Sequence, residues 1–481
     1  MQSRSELGLW SAAIVAAALG TWLMFDAMPG INWGAWTLVA ATGLLLFVRP
    51  AQRRPIQVTA AAATVIAFGA AATADPFIHA MIVLAVILYL GMSMLLSTNP
   101  TFERITAAFT IPAPIVAFAS AIVEAVKRGV EALHLVRSEG ARSVVRGIAI
   151  TAPVIIIFAL LLSSADPVFA GWREAVIDLL ESWAFLPRTI FFIGLLAITL
   201  GAYGYTARES SAPAPVITIQ KRQWLGATER LILITSIAIL FYLFLAVQLS
   251  YFFGNLPQVT GSGMTFAEYA RRGFAELTVV ATASVILILV SERFGRENGR
   301  QGLIRIATVA LIIAVLLLLI SAFNRVVLYE QAYGFTTARL YAQCYMIVVA
   351  TALVTLGVMI VRRESKTSLF RITLTTATLI FIVLIYWNHE SWIAGKNIDR
   401  LATTGRLDVA YLARDLSPNA VPLLVERLPS LPEPSRSELV RVLTSHYATH
   451  GKMFNRPWYE WNLRRNAARE SLRSIGIPLT N

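Results

Sequence analysis

The chain has 481 residues, 57% of them hydrophobic and 14% charged, with a mean hydropathy of +0.65 and a formal net charge of +13. A soluble globular protein carries about 25% charged residues, whereas here apolar runs of about 20 residues recur from end to end, so a soluble domain is excluded and a polytopic membrane protein is indicated. The excess Lys and Arg is scattered over short loops between the apolar runs; it reads as membrane orientation and attraction to anionic lipid, not as nucleic-acid binding.

Backbone groups inside a bilayer must be satisfied within the segment, so the spans are expected to be helices. The short alternating segments of a β-barrel are not seen. The expected fold class is all-α: a polytopic helical membrane protein with a small C-terminal helical extramembrane domain.

The first run, Leu7–Phe25, follows Arg4 and resembles a signal peptide, but Phe25-Asp26-Ala27-Met28 is a poor small-x-small cleavage site, so it reads as an uncleaved first span. Trp33–Val48, Val58–Thr73, Pro76–Leu96, Gly147–Leu162 and Phe185–Tyr203 follow. Leu231–Leu249, Leu277–Val290, Leu303–Ser321, Leu340–Val361 and Leu369–Trp387 bring the expectation to about eleven crossings. One further apolar segment, Ile105–Val126, contains Pro112 and Pro114, which break a helix interior; it reads as re-entrant or interfacial.

Charge sets the expected orientation. With a cytoplasmic N-terminus and Ile105–Val126 not crossing, the loops VRPAQRRP, VKRGVEALHLVRSEGARSVVR, QKRQW, SERFGRENGRQGLIR and VRRESK all fall on the cytoplasmic face of the inner membrane. The loops holding Asp75, Asp166 and Glu268, the stretch 324–343 and everything after Trp387 then lie outside. The organisation expected is an N-terminal membrane segment with a basic loop (1–140), a main membrane domain (141–388) and a small helical extracytoplasmic domain (389–481).

Asp75-Pro76 and Asp166-Pro167 share the construction of a helix start: a carboxylate for orphan N–H groups, then Pro where no N–H is missed. His79 stands four residues after Asp75, close enough to pair with it or to be satisfied locally. In TFAEYARRGFAEL, Thr265 and Glu268 make a capping box that opens an amphipathic surface helix carrying Arg271. In NRVVLYEQAYGFTTARLYAQ, Arg325, Tyr329 and Tyr333 share a helix face, Gly334 permits a turn, and Thr336 or Thr337 can cap the next span. Arg339 then falls in a first helical turn, where a cation opposes the macrodipole; Glu330 across the turn is its nearest carboxylate. His446 and His450 are spaced to share a metal, but no third ligand accompanies them, and Cys344 is the single cysteine, so no metal site, disulfide or cofactor is expected.

SSADPVF (163–169), TFAEYARRGF (265–274), NRVVLYEQAYGFTTARLYAQ (324–343) and GRLDVAYLARDLSPNAVPLL (405–424) occur in this order. With them the chain resembles a bacterial family of multi-pass membrane proteins defined only as a domain of unknown function. The resemblance implies fold and membrane location, and no activity. No catalytic residue is assigned. The candidate binding site comprises Asp166, Glu268, Arg271, Arg325, Glu330, Tyr333 and Arg339 at the outer membrane edge. Three functions fit: ligand handling or transport through that site; an envelope sensor or interaction protein using the C-terminal helices; and a membrane-embedded enzyme acting on an envelope substrate.

Overall fold

The computed structural model describes residues 2–48, 53–98, 101–132, 151, 155, 185–208, 225–253, 274–295, 301–364 and 368–479. These are helices and turns. In chain order the helices are α1 (Gln2–Met24), α2 (Ile31–Leu46), α3 (Arg53–Phe68), α4 (Pro76–Leu96), α5 (Ala113–Ala132) and α6 (Leu186–Ala207). Then come α7 (Ala227–Phe253), α8 (Phe274–Phe294), α9 (Gln301–Tyr333), α10 (Thr337–Arg362) and α11 (Leu369–Tyr386). The last four are α12 (His389–Thr404), α13 (Val421–Arg427), α14 (Ser435–Ala448) and α15 (Leu463–Ser474).

Among the described residues, eight helices are long and apolar enough to cross a membrane: α1, α4, α6, α7, α8, α9, α10 and α11. The protein is thus a multi-pass helical membrane protein of the inner-membrane type, with fewer clear spans than the eleven expected. Two of the differences have one physical cause. Helices α2 and α3 have 16 residues each, about 24 Å at 1.5 Å per residue, against a hydrocarbon core of about 30 Å. The third, Gly147–Leu162, lies outside the described residues except at positions 151 and 155. Ile105–Val126 divides at Pro112, into a single turn (Ala107–Thr110) and α5, which runs on into the charged residues Glu124, Lys127, Arg128 and Glu131.

The chain forms two compact units. The first contains residues 1–216, 417–419 and 447–481. In it α1 packs on α2 and α6, α3 on α2 and α4, and α5 on α4 and α6. Buried alanines make this close packing possible: Ala13, Ala16 and Ala17 on α1, and Ala60, Ala63 and Ala67 on α3. Between lipid tails there is little hydrophobic drive to associate, so small residues that let backbones approach do the selecting. Gly201 on α6 is the extreme case, since any Cβ there would collide with the Ala121 carbonyl of α5.

The second unit contains residues 217–416 and 420–446. Its centre is α9, whose Leu311, Val315, Leu318, Ala322 and Val326 are buried against Ile234 of α7, Ala281 of α8 and Leu353 of α10. These α9 positions recur at three- and four-residue intervals, the seam of a helix bundle, while Ile306, Ile313 and Ile320 are exposed. With 33 residues, α9 is about 50 Å long. Arg305 and Arg325 are about 30 Å apart along it, one hydrocarbon thickness.

The Asp75 helix start is present. Its carboxylate accepts from Phe77 N at 2.8 Å and Ile78 N at 3.4 Å, with Pro76 opening α4. Asp75→Ala is expected to lower stability by about 1 kcal/mol, measured as a reduced thermal midpoint of the detergent-solubilised chain.

Candidate functional site

The α9–α10 connection is only three residues long, Gly334 to Thr336, and both helix ends leave backbone groups without intrahelical partners. Gly334 turns the chain at φ +92°, donating its N–H to the Glu330 carbonyl at 2.8 Å. This left-handed end to a helix favours glycine. A Cβ at Gly334 would also run into the Asn397 side chain.

Several of the other groups are satisfied from 60 to 80 residues further along. Arg400 of α12 donates from Nε to the Gln331 carbonyl at 2.9 Å and from Nη2 to the Ala332 carbonyl. Arg339 reaches back to the Gly334 carbonyl. Two guanidiniums thus stand at the C-terminal end of α9, the end whose dipole favours cations. Asn397 pairs with Phe335 twice: its Oδ1 accepts from Phe335 N at 2.8 Å and its Nδ2 donates to Phe335 O at 2.8 Å. Thr337 N donates to the Tyr411 hydroxyl at 3.0 Å. Thr336 occupies the cap position of α10 with no side-chain cap bond; of the two threonine caps expected from sequence, Thr336 gives way to a tyrosine 74 residues from Thr337.

Charged side chains complete the cluster. Glu330 is 5% exposed and accepts from Gln343 Nε2 at 2.9 Å. Arg339 lies over the Tyr329 ring, 3.9 Å from its centroid, a cation–π contact. Tyr329 and Tyr333 meet edge-to-face at 5.0 Å. Glu330 and Arg339, which the sequence sets across the turn from each other, therefore take separate direct partners. Arg339 thus remains in the first turn of α10, but its guanidinium reaches back to the carbonyl end of α9. Beneath this layer, His389 (1% exposed) donates from Nδ1 to the Leu384 carbonyl at 3.1 Å and meets the Tyr341 hydroxyl at Nε2, 2.9 Å away. Glu390 is buried beside it.

Of the residues singled out from sequence, Glu330, Tyr333 and Arg339 come together at this turn, and Arg325 is buried one helical turn before Tyr329. Asp166, Glu268 and Arg271 lie outside the described residues. Sequence reasoning missed Asn397, Arg400, Tyr411 and His389.

Burial pushes the Tyr411 phenol above its usual range, opposed by its bonds to Thr337. The unfolded chain releases that proton first as pH rises past about 10, so the folded state then binds more protons and stability falls. Tyr411→Phe is expected to remove this alkaline slope. At neutral pH it is expected to cost about 1 kcal/mol, because Thr337 N–H loses its acceptor. Denaturation midpoints across pH 8 to 11 check both.

A second polar node lies in the first unit, where α3 ends and α4 begins. Asn462 donates to the carbonyls of Ala70 (2.8 Å) and Thr73 (2.6 Å), and His79 Nε2 engages the same two at 3.3 and 2.9 Å. His79 is thus satisfied by backbone, not by pairing with Asp75. Asn419 accepts from Ala74 N at 2.8 Å, and Arg464 donates to Ala72 O at 3.3 Å. Arg465 donates to the carbonyls of Pro29 (2.7 Å) and Glu460 (2.6 Å). Burial pushes its guanidinium down to about 10, with Glu460 opposing and Arg456 adding to the shift.

Residues 58–427 match the family described as Domain of unknown function (DUF4153). No curated protein and no solved structure matches the chain.

Proposed function

The chain belongs to the DUF4153 family of bacterial multi-pass membrane proteins, and we propose that it acts as an envelope sensor or interaction protein. The C-terminal helices are the receiving element, and α9 and α10 carry the response into the membrane. The observation behind this reading is the grip of Asn397, Arg400 and Tyr411 on backbone groups at both ends of the α9–α10 turn. A displacement of α12 cannot leave those helix ends unsatisfied without cost, so the extramembrane layer and the two spans move together.

In-cell photo-crosslinking tests it. A photoreactive residue in place of Arg441, an exposed position on α14, is expected to give a discrete protein adduct. The yield should change when Asn397→Ala and Arg400→Ala loosen the joint. Adducts with lipid alone, or a yield indifferent to those substitutions, would count against the proposal.

A second reading is ligand handling or transport through an outer-edge site that includes Arg325, Glu330, Tyr333 and Arg339. It is favoured by the burial of Arg325 and Glu330 at the edge of a span, since ionisable groups in such places are functional candidates. A cysteine at position 330, in a Cys344→Ser background, separates the readings. An aqueous thiol reagent labels it from the outside if a ligand path is open, and fails to label it if the cluster is packed as a joint.

We also propose a cytoplasmic N-terminus and an extracytoplasmic C-terminal region, with the basic loops facing anionic lipid inside. In support, Arg465 contacts the α1–α2 connection at Pro29 while Asn462 contacts the α3–α4 connection at Ala70 and Thr73. The two connections therefore lie at one end of the first unit, and α2 and α3 run the same layer as α1 and α4.

A further inference from the structure

The segment 457–465 has its polarity reversed for a protein surface in water. Trp458 is 71% exposed, Trp461 45% and Leu463 44%, while Glu460 and Arg465 are buried. The Glu460 carboxylate pairs with Arg456 at 3.7 Å instead of facing solvent. The backbone of the turn is also satisfied from within: Ile31 N donates to Trp461 O at 3.0 Å, Arg465 Nη2 to Glu460 O, Glu460 N to Pro457 O and Trp461 N to Trp458 O. Internal satisfaction of backbone groups is what an apolar environment demands.

The patch is continuous with a span. Trp22, half exposed near the end of α1, has its ring 6.1 Å from that of Trp458 and 5.2 Å from that of Tyr459. A tryptophan in the last turns of a membrane helix marks the interfacial belt, where indole and phenol rings sit at headgroup level.

We propose that residues 457–463 lie in the headgroup region of the bilayer, on the face where α1 ends, so that phospholipid is the partner of Trp458 and Trp461. The C-terminal part of the chain, in which no described helix is long and apolar enough to cross a membrane, is then anchored to the membrane at a second point. This segment is outside the family match, and the inference needs neither the proposed function nor the proposed sidedness.

The test uses the full-length chain in phosphatidylcholine vesicles, with and without bromine on the acyl chains near the headgroups. Emission of the Trp458→Phe/Trp461→Phe variant is subtracted from that of the unaltered chain, which has 11 tryptophans. The expected difference emission is lost with shallow bromolipid and is protected from aqueous iodide. Quenching by iodide but not by bromolipid would put the segment in water and overturn the proposal. Protection from both would mean that protein covers it, a second copy or another partner, and would overturn it equally. Trp458→Phe alone, at the more exposed ring, repeats the test if the double variant folds poorly.

Discussion

Asn397→Ala is expected to lower the stability of the second unit by about 2–4 kcal/mol. The asparagine supplies both an acceptor and a donor to one residue, Phe335, in a part-buried site. Each buried backbone group left unsatisfied costs about 1–3 kcal/mol, and the void left by the side chain adds a smaller loss. Asn397→Asp separates hydrogen bonding from shape. It keeps the acceptor for Phe335 N–H but sets a carboxylate oxygen against Phe335 C=O, so it is expected to lose at least half of the same stability with the volume unchanged. Thermal or denaturant midpoints of the solubilised protein read both. An aspartate variant as stable as the unaltered chain would show that the second bond contributes nothing.

Glu124→Ala is expected to be among the costliest single changes in the first unit, by about 2–3 kcal/mol. Glu124 is 1% exposed at the charged end of α5. It takes Arg128 Nε at 2.9 Å on one oxygen and Arg208 on the other. Arg128 in turn holds Glu6 of α1 at 2.7 Å and the Gly204 carbonyl of α6 at 3.3 Å. One carboxylate therefore organises α1, α5 and α6 at a common end. Breaking a buried ion pair by removing one partner costs about 3–5 kcal/mol. The lower figure applies because Arg208 and Glu6 are about half exposed and Arg128 keeps Glu6. Glu124→Gln, which retains an acceptor for Arg128, is expected to lose less; equal losses would assign the effect to packing and not to charge.

Much of the architecture was legible in the sequence because membrane helices announce themselves by length and apolarity. Pro76–Leu96 was read to the residue, and Asp75 caps it as its position before Pro76 suggested. The count of spans was less legible, since an apolar run of 16 residues fits a short crossing and a buried helix alike. The site was legible only in part. Spacing by four put Tyr329 and Tyr333 on one face, and Gly334 marked the turn. Local pattern could not reveal what Arg339 does, because its partner is the carbonyl end of the preceding helix and the Tyr329 ring, not the nearest opposite charge. Nor could it find Asn397 or Arg400. Their task is to satisfy backbone groups some 60 residues away, and backbone groups are invisible in a sequence.

Amide hydrogen exchange over residues 333–341 of the full-length protein bears most directly on the joint between the C-terminal helices and the α9–α10 turn. Phe335 and Thr337 amides are expected to exchange slowly in the unaltered chain. With Asn397→Ala, Phe335 should exchange faster. With Tyr411→Phe, Thr337 should do so. The interiors of α9 and α10 should stay as protected as before in both variants. Unchanged exchange across 333–341 in both variants would contradict the joint, and with it the proposal that the extramembrane helices move the spans.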